Sequence, residues 1–490
     1  MRVLLVYPRN PETFWSFEHS LPFVSRKCSF QPLGLLTIAA MMPRSWELRL
    51  VDLNVEELSD DEIVRADYVL ITGMIVHKAS IHEVVERCRL LARPLIAGGP
   101  VFTTGFEGFP DIQHFVLGEA EDVMPALVAD MERGNVQRVY QAPDRPDIRR
   151  VPVPRWDLVD MRSYVTMSVQ FSRGCPYDCE FCDIIEMNGR VPRTKTPEQL
   201  IGELDALRAH GWDDMVFIVD DNFIGNKKCA KALLRELIAW RGRTGSHMGF
   251  LTEASVNLAE DPELCELMAL AGFKKVFLGI ETPSLEGLEE CHKLQNTRRD
   301  LVESVQTIQR AGMEVMAGFI VGFDSDRDDV FHRQFEFIQR SGVVTAMVGL
   351  LTALPQTALY RRLMREGRLD AESTGNSVEA VLNFRTKLER EFLVSGYREL
   401  MNRLYEPKAY YRRVRTFLAN HRVRGPRLRV STRDVKAFLR SIWKLGVRHR
   451  GQLSYWRCFL GTLVLRPRQL PVAIELAIVG HHFRRVASGL

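Results

Sequence analysis

Apolar residues fall into a repeating pattern over the first three quarters of the chain. Short, near-continuous apolar runs occur at RVLLVYP (2–8), ELRLVD (47–52), DYVLITG (67–73), RPLIAGG (93–99) and QHFVLGE (113–119). Helix-period stretches separate them, including PLGLLTIAAMM (32–42) and SIHEVVERCRLLA (80–92). Strands that are apolar on both faces and alternate with helices predict a parallel sheet covered on both sides. A second series follows at 164–172, 214–220, 248–255, 275–281, 314–323 and 345–351. Pro197 and Pro262 stand where first helical turns would begin, and Gly211 and Gly272 where helices would stop. The reading is α/β over these two series, followed by a basic, mostly helical C-terminal domain over 371–490. Residues 1–145 form a doubly wound Rossmann-like domain, and 160–370 a partial TIM-like barrel of six β/α units. From about 371 the alternation ends, and 374–418 reads as largely helical.

Length and charge refine this picture. At 490 residues the chain exceeds one ordinary domain. The whole chain is nearly balanced, with 66 Lys+Arg against 62 Asp+Glu, but residues 401–490 hold 20 Lys+Arg and only 3 Asp+Glu. Three readings fit that basic end: a solvated face, a nucleic-acid surface, or an interfacial helix pair whose apolar stretches in 456–486 sit among arginines. No zinc-finger, KH or RRM signature supports nucleic acid. The opening run is too short for a signal peptide and Pro8 interrupts it, so a cytoplasmic protein is expected, in contact with the inner membrane surface if the interfacial reading holds.

The strongest chemical signal is FSRGCPYDCEFCDI (171–184), which holds Cys175, Cys179 and Cys182. In a reducing compartment such a cluster points to metal, not disulfide. A structural zinc site would need a fourth ligand, and no second C-x2-C or H-x3-H pair follows. The other cysteines, Cys28, Cys88, Cys229, Cys265, Cys291 and Cys458, are isolated and read as small buried hydrophobes. Three thiolates fit a cubane iron–sulfur cluster with one iron left open. The C-x3-C-x2-C spacing with Phe181 before the last cysteine resembles the radical S-adenosylmethionine (SAM) superfamily. The resemblance implies SAM on the open iron, Phe181 near the adenine, and cleavage to a 5′-deoxyadenosyl radical. It implies SAM contacts at barrel strand ends, here Asp221, Glu253, Ser255 and Glu281. The strand-two end reads VDDNF, where many members have Gly-Gly-Glu. An external one-electron donor of the flavodoxin or ferredoxin type is also implied.

In the N-terminal sheet, glycine-bearing loops end three strands: Thr72, Gly73 and Met74; Gly98, Gly99 and Pro100; Gly118 and Glu119. Ligands of doubly wound sheets bind beyond the strand C-termini. No G-x-G-x-x-G follows the first strand, which disfavours a dinucleotide. QPLGLLTIAAMMP, AGGPVF and LGEAE resemble the cobalamin-binding class of radical SAM enzymes, though the D-x-H-x-x-G signature is missing. His77 reads as a surface-loop residue ahead of a corrin contact. EPKAYYRR and LPVAIELAIVGHHFRR resemble a subfamily with hopanoid C-2 methylases and relatives of bacteriochlorophyll side-chain methylases. The implied activity is cobalamin-dependent methyl transfer to carbon of a small or lipid-like substrate, with no nucleic acid involved. Two alternatives remain: radical SAM cyclisation, rearrangement or oxidation without methyl transfer, and a non-catalytic iron–sulfur protein. A tRNA methylthiotransferase is disfavoured, because the N-terminal domain holds only Cys28 and Cys88 instead of a second triad.

Overall fold

The computed structural model describes residues 1–376, 378–425, 430–449 and 451–490. Strand β1 (Arg2–Tyr7) runs up the centre of the first sheet, while β2 (Cys28–Phe30) leaves it. The sheet is completed by β3 (Glu47–Asp52), β4 (Tyr68–Thr72), β5 (Leu95–Gly98), β6 (His114–Leu117) and β7 (Val139–Gln141). All pairs are parallel in the order β3-β1-β4-β5-β6-β7, a flavodoxin-like winding whose order reverses between β1 and β4. Successive β1 residues feed opposite cores, Leu4 and Val6 on one face, Val3 on the other, as a doubly wound sheet requires. The five expected strands are present. The sixth, β7, is a three-residue edge strand too short to show a period.

The second sheet contains β8 (Tyr164–Val169), then a small antiparallel hairpin of β9 (Ser172–Arg173) and β10 (Arg193–Thr194) stands apart. Strands β11 (Val216–Ile218), β12 (Phe250–Ala254), β13 (Phe273–Glu281), β14 (Glu314–Val321) and β15 (Ala346–Leu350) complete it. Its order is β15-β14-β13-β12-β11-β8-β2, all parallel and open at both edges, a partial barrel. The six expected barrel strands are present, and β2, supplied from the N-terminal segment, adds a seventh beside β8. Helix starts follow the proline signals: Thr196 caps Pro197–Ala209 with a capping box, and Asp261 caps Pro262–Ala271.

The C-terminal helices are Arg390–Tyr405, Pro407–Asn420, Thr432–Ser441, Gln452–Leu465 and Leu470–Gly489. The helical reading of 374–418 needs correction at its start: residues 378–389 form no helix. Asn383 pins that stretch by bracketing the Ala353 backbone, accepting from its N–H at 3.0 Å and donating to its C=O at 2.9 Å. The C-terminal helices are not a separate body. Tyr397, Tyr405, Val414, Phe417, Leu476 and Phe483 belong to the same continuous core as the barrel strands. Lys275 on β13 bridges Glu314 at 3.1 Å and Glu475 of the last helix at 2.6 Å, so this helix closes the barrel at its lower end.

Candidate active site

The loop between β9 and β10 carries Cys175, Cys179 and Cys182, all free and half-buried. Gly174 opens it at φ 97°, and a Cβ there would stand 2.8 Å from the Gly189 carbonyl, so only glycine fits. The loop is fixed by Cys175 N–H donating to Gly189 O at 3.1 Å and Glu180 N–H to Cys291 O at 3.0 Å. Arg362 grips the Glu180 carboxylate with two bonds of 2.6 and 2.9 Å. Asn222 Nδ2 lies 3.7 Å from Cys175 Sγ, and Gln295 Nε2 lies 4.0 Å from Cys179 Sγ. Burial pushes all three thiols up. Amide donors directed at the sulfurs offset this for thiolates bound to metal. Among the described residues no three His, Cys, Asp or Glu side chains converge on a point where a single ion would sit. The donor set is all-sulfur, which suits an iron–sulfur cluster.

Around the loop the strand ends of the barrel converge. Buried Asp220 accepts from Phe171 N–H at 2.7 Å and Ser172 Oγ–H at 2.6 Å, tying β8 to β9; desolvation pushes its carboxyl up to about 7. Asp221 Oδ2 accepts from Gly174 N–H and Asn188 Nδ2, both at 2.9 Å, and so braces the cysteine loop. Ser255 Oγ–H donates to Asn257 Oδ1 at 2.6 Å, and Asn222 reaches Ser255 at 3.3 Å. Glu253 has no side-chain partner among the described residues. Burial, with Asp221 and Asp220 nearby, pushes it up to about 8. Glu281 ends β13 at φ 64°, where the β13–β14 register shifts, and pairs with buried Lys293. Asn296 and Gln334 hold that strained turn by bonds of 3.0 to 3.1 Å to the carbonyls of Gly279, Ile280 and Glu281. Lys293 Nζ stands 5.9 Å over the Phe181 ring.

The three glycine-bearing loops lie side by side at the C-terminal ends of β4, β5 and β6. Val101 N–H donates to Gly73 O at 3.1 Å, and Gly118 N–H to Thr103 Oγ1 at 3.0 Å. Gly99 has φ 103°, and a Cβ on it would overlap Thr72 Oγ1. Met74 is half exposed on this rim. Glu119 turns toward the cysteine hairpin, pairing with Arg173 at 2.6 Å and Arg193 at 2.5 Å, and Glu121 also meets Arg173, at 2.7 Å. Through these pairs the upper rim of the first sheet meets the cysteine hairpin. The surface-loop reading of His77 is overturned, because the residue is buried at the point where the strand order reverses. Its Nδ1 accepts from Met74 N–H at 3.1 Å and its Nε2–H donates to Asn10 Oδ1 at 2.8 Å. Its ring meets Tyr7 edge-on at 5.4 Å. Burial holds it neutral, at about 4. With both nitrogens used, His77 braces the loop and offers no free lone pair to a metal. Sequence reading also missed Lys293 and Gln295, which sit in a segment without a period or motif, and Arg362, a polar-face residue of the amphipathic helix Ala358–Arg365; Asn222 stood in view beside Asp221.

Residues 169–338 match the radical SAM superfamily profile, and residues 357–490 match a domain of unknown function, DUF4070. An uncharacterized methyltransferase of Synechocystis sp. is 42% identical over 99% of this chain and 91% of its own length. The hopanoid C-2 methylase of Rhodopseudomonas palustris is 36% identical over 98% of this chain and 92% of its own. The chain belongs to the radical SAM superfamily. Within it, the protein falls among methyltransferases, and membership implies a [4Fe-4S] cluster and SAM as cofactors. Among solved folds, the radical SAM methyltransferase TsrM from Kitasatospora setae superposes with a TM-score of 0.64 at 15% identity, over 98% of this chain and 99% of that one. The cobalamin-dependent radical enzyme OxsB superposes with a TM-score of 0.64 at 14% identity, over all of this chain and 79% of that one. Both share the fold.

Proposed function

We propose that this radical SAM methyltransferase uses cobalamin to methylate a carbon of an apolar, lipid-like substrate of the isoprenoid class. The carrying observation is that the upper rim of the flavodoxin-like sheet, with its three glycine-bearing loops, meets the cysteine hairpin through Glu119, Arg173 and Arg193. The full-length similarity to a hopanoid C-2 methylase supports the substrate class. The TsrM structure, which matches over its whole length and is described with cobalamin and a [4Fe-4S] cluster, supports the cofactors and not the substrate.

Cys175, Cys179 and Cys182 would hold the cluster, and the loops at Thr72–Met74, Gly98–Pro100 and Gly118 would hold the corrin. Bound there, the cluster with SAM supplies one-electron radical chemistry and the corrin supplies a methyl carrier. The protein's own part is positioning. Lys293 brings a buried positive charge beside the cysteine loop, suited to the SAM carboxylate, with Glu281 fixing its ammonium. Glu253 and Ser255 present acceptors at the end of β12 for the amino and ribose hydroxyl groups of SAM. The Asp221 brace keeps the cysteine loop closed over this space. The electron needed comes from an external flavodoxin- or ferredoxin-type donor.

Contact with the cytoplasmic membrane surface belongs to this reading. No helix among the described residues is long and apolar enough to cross a membrane. The helix Thr432–Ser441 and its continuation to Arg448 expose Val435, Leu439, Trp443 and Val447, one stripe at a spacing of four. Anaerobic reconstitution with iron, sulfide and hydroxocobalamin, followed by turnover with SAM, reductant and a pentacyclic triterpene, tests the activity. A product heavier by one CH2 is expected, together with loss of the methylated lipid in a deletion strain. Formation of 5′-deoxyadenosine with an oxidised or cyclised product of unchanged carbon count would replace methyl transfer with the non-methylating alternative.

A further inference from the structure

The segment between β1 and β2 touches both halves of the site. At its start Arg9 N–H donates to Ser80 Oγ at 2.9 Å and Asn10 N–H to Asn54 Oδ1 at 2.8 Å. Asn10 then takes the His77 proton, under the loop that ends β4. Five residues later Trp15 lies inside the partial barrel. Its ring is near-parallel to Phe217 of β11, 7° apart with centroids at 6.1 Å, and 5.2 Å from Phe277 of β13. Phe217 is in register with Leu251, two residues before Glu253 and therefore on the same face of the sheet. Phe277 is in register with Glu253 itself. Since β12 lies between β11 and β13, a ring that meets both neighbours on the Glu253 face is in the lumen, below the cysteine loop.

This layer is aromatic. Phe30 of β2 approaches Trp15 at 6.3 Å, and Met316 is in register with Phe277. The charge in the same layer, Lys275, is held between Glu314 and Glu475 and is not offered to a ligand. Trp15, Phe30 and Phe277 are only half-buried although they stand in the middle of the molecule, so their rings border space that protein atoms leave unfilled. The segment is locked from below by the last helix. Phe14 is buried and stacks on Phe483 at 5.5 Å, and His482 Nε2–H donates to the carbonyls of Thr13 at 3.1 Å and Phe14 at 3.3 Å. Ser29 Oγ–H donates to Ser16 O at 2.8 Å on the far side of Trp15.

We propose that Trp15 is a specificity-determining residue, the wall on which the uncharged, fused-ring part of the substrate stacks, and that it sets how far the reacting carbon stands below the cysteine loop. An indole offers a large flat apolar face with few torsions to freeze. Lys275, the charge in this layer, is already paired within the protein and gives no anchor to an ionic substrate. The inference rests on the apolar-substrate reading above, but its test does not require turnover. Full-length, reconstituted protein is stripped of lipid, and binding of a pentacyclic triterpene is measured by equilibrium partition for wild type, Trp15→Ala and Trp15→Phe. Wild type should bind, Trp15→Ala should bind about tenfold more weakly, and Trp15→Phe should stay within about threefold of wild type. Cluster absorbance and corrin retention should be the same in all three. Equal binding by Trp15→Ala, no binding by wild type, or a loss that comes with loss of cluster or corrin overturns the proposal. Trp15-dependent binding without any methylated product would sink the methyltransferase reading and leave this one standing. Methylation of the triterpene by Trp15→Ala at unchanged KM would do the reverse.

Discussion

The exposed apolar stripe, and the membrane contact proposed for it, give the sharpest quantity to test. Leu439, Trp443 and Val447 are 59, 55 and 47% exposed. On the next helix Leu453 and Val464 are 73 and 76% exposed. Lys436, Arg440, Lys444 and Arg448 lie on the same segment. Full burial of a large apolar side chain contributes roughly 1.5–3 kcal/mol, so covering the exposed half of one is worth about 1 kcal/mol. Replacing Leu439, Trp443 and Val447 with Ser together therefore removes about 3 kcal/mol of interfacial attraction, about a hundredfold in partition. Each nearby basic residue adds about 1 kcal/mol on an anionic surface, and salt screens that part alone. Flotation of full-length protein with phosphatidylglycerol vesicles measures both terms. Wild type should float, lose part of its binding in high salt, and lose about a hundredfold in the triple variant with cluster absorbance unchanged, because the replaced side chains lie outside the fully buried core. A triple variant that floats like wild type, or a wild type that stays in solution at low salt, refutes the reasoning. Truncation near residue 450 is the wrong perturbation. It removes buried Leu476, Ile478, Phe483 and Val486, together worth roughly 6–12 kcal/mol, comparable to a whole domain's stability.

Four further outcomes follow from the site. Replacing Cys175, Cys179 and Cys182 with Ala should abolish cluster absorbance and SAM cleavage, and full iron content in that variant would remove the assignment. Protein loaded with hydroxocobalamin should keep its corrin through desalting, and Gly99→Val should release it with the cluster intact; a variant that retains corrin moves the site elsewhere. Lys293→Met leaves Glu281 buried without its cation and should cost about 3–5 kcal/mol, restored in large part by adding Glu281→Gln; equal melting of the single and double variants would show that the pair is not coupled. Glu253 has its carboxyl pushed from 4.5 up to about 8, so the fold favours the protonated form. The folded state then binds more protons than the unfolded one between those values, and SAM-free protein loses stability as pH rises from 4.5 through 8, by roughly 5 kcal/mol at most. Glu253→Gln should flatten melting temperature against pH over that window, and an unchanged slope would place the titration on another group.

Much of the architecture was open to reading because it rests on repeating local signals. Apolar runs such as 275–281 and proline starts such as Pro197 and Pro262 recur often enough to fix strand and helix without tertiary information. The cysteine loop was legible for a different reason: three thiols at C-x3-C-x2-C have few chemical uses. What escaped were single residues in stretches without a period. Lys293 follows an ordinary helix in CHKLQN, and only the strained turn at Glu281 brings its ammonium to the cysteine loop. His77 looked like a loop residue because it lies just after the strand at 67–73, whereas its partners Asn10, which stands 67 residues away, and Tyr7 are distant in the chain.

The C-terminal third shows why composition alone left two accounts open. The excess of arginine is shared by helices with opposite fates. Leu470–Gly489 buries its apolar face, clamps the Thr13–Phe14 backbone with His482 and sends Glu475 to Lys275, so it completes the barrel. Gln452–Leu465 and the Thr432–Arg448 segment instead leave Leu439, Trp443, Leu453 and Val464 uncovered. The last helix is therefore packed into the core, and the two helical segments before it leave apolar side chains exposed. The outward segments and the last helix nevertheless belong to one folded unit. Phe14, beside Trp15, stacks on the Phe483 ring of the last helix. Arg440 on the outward segment bonds to the Pro22 and Phe23 carbonyls at 3.1 and 2.9 Å, just beyond the Trp15 segment. Both the outward segment and the last helix therefore hold the chain that carries Trp15.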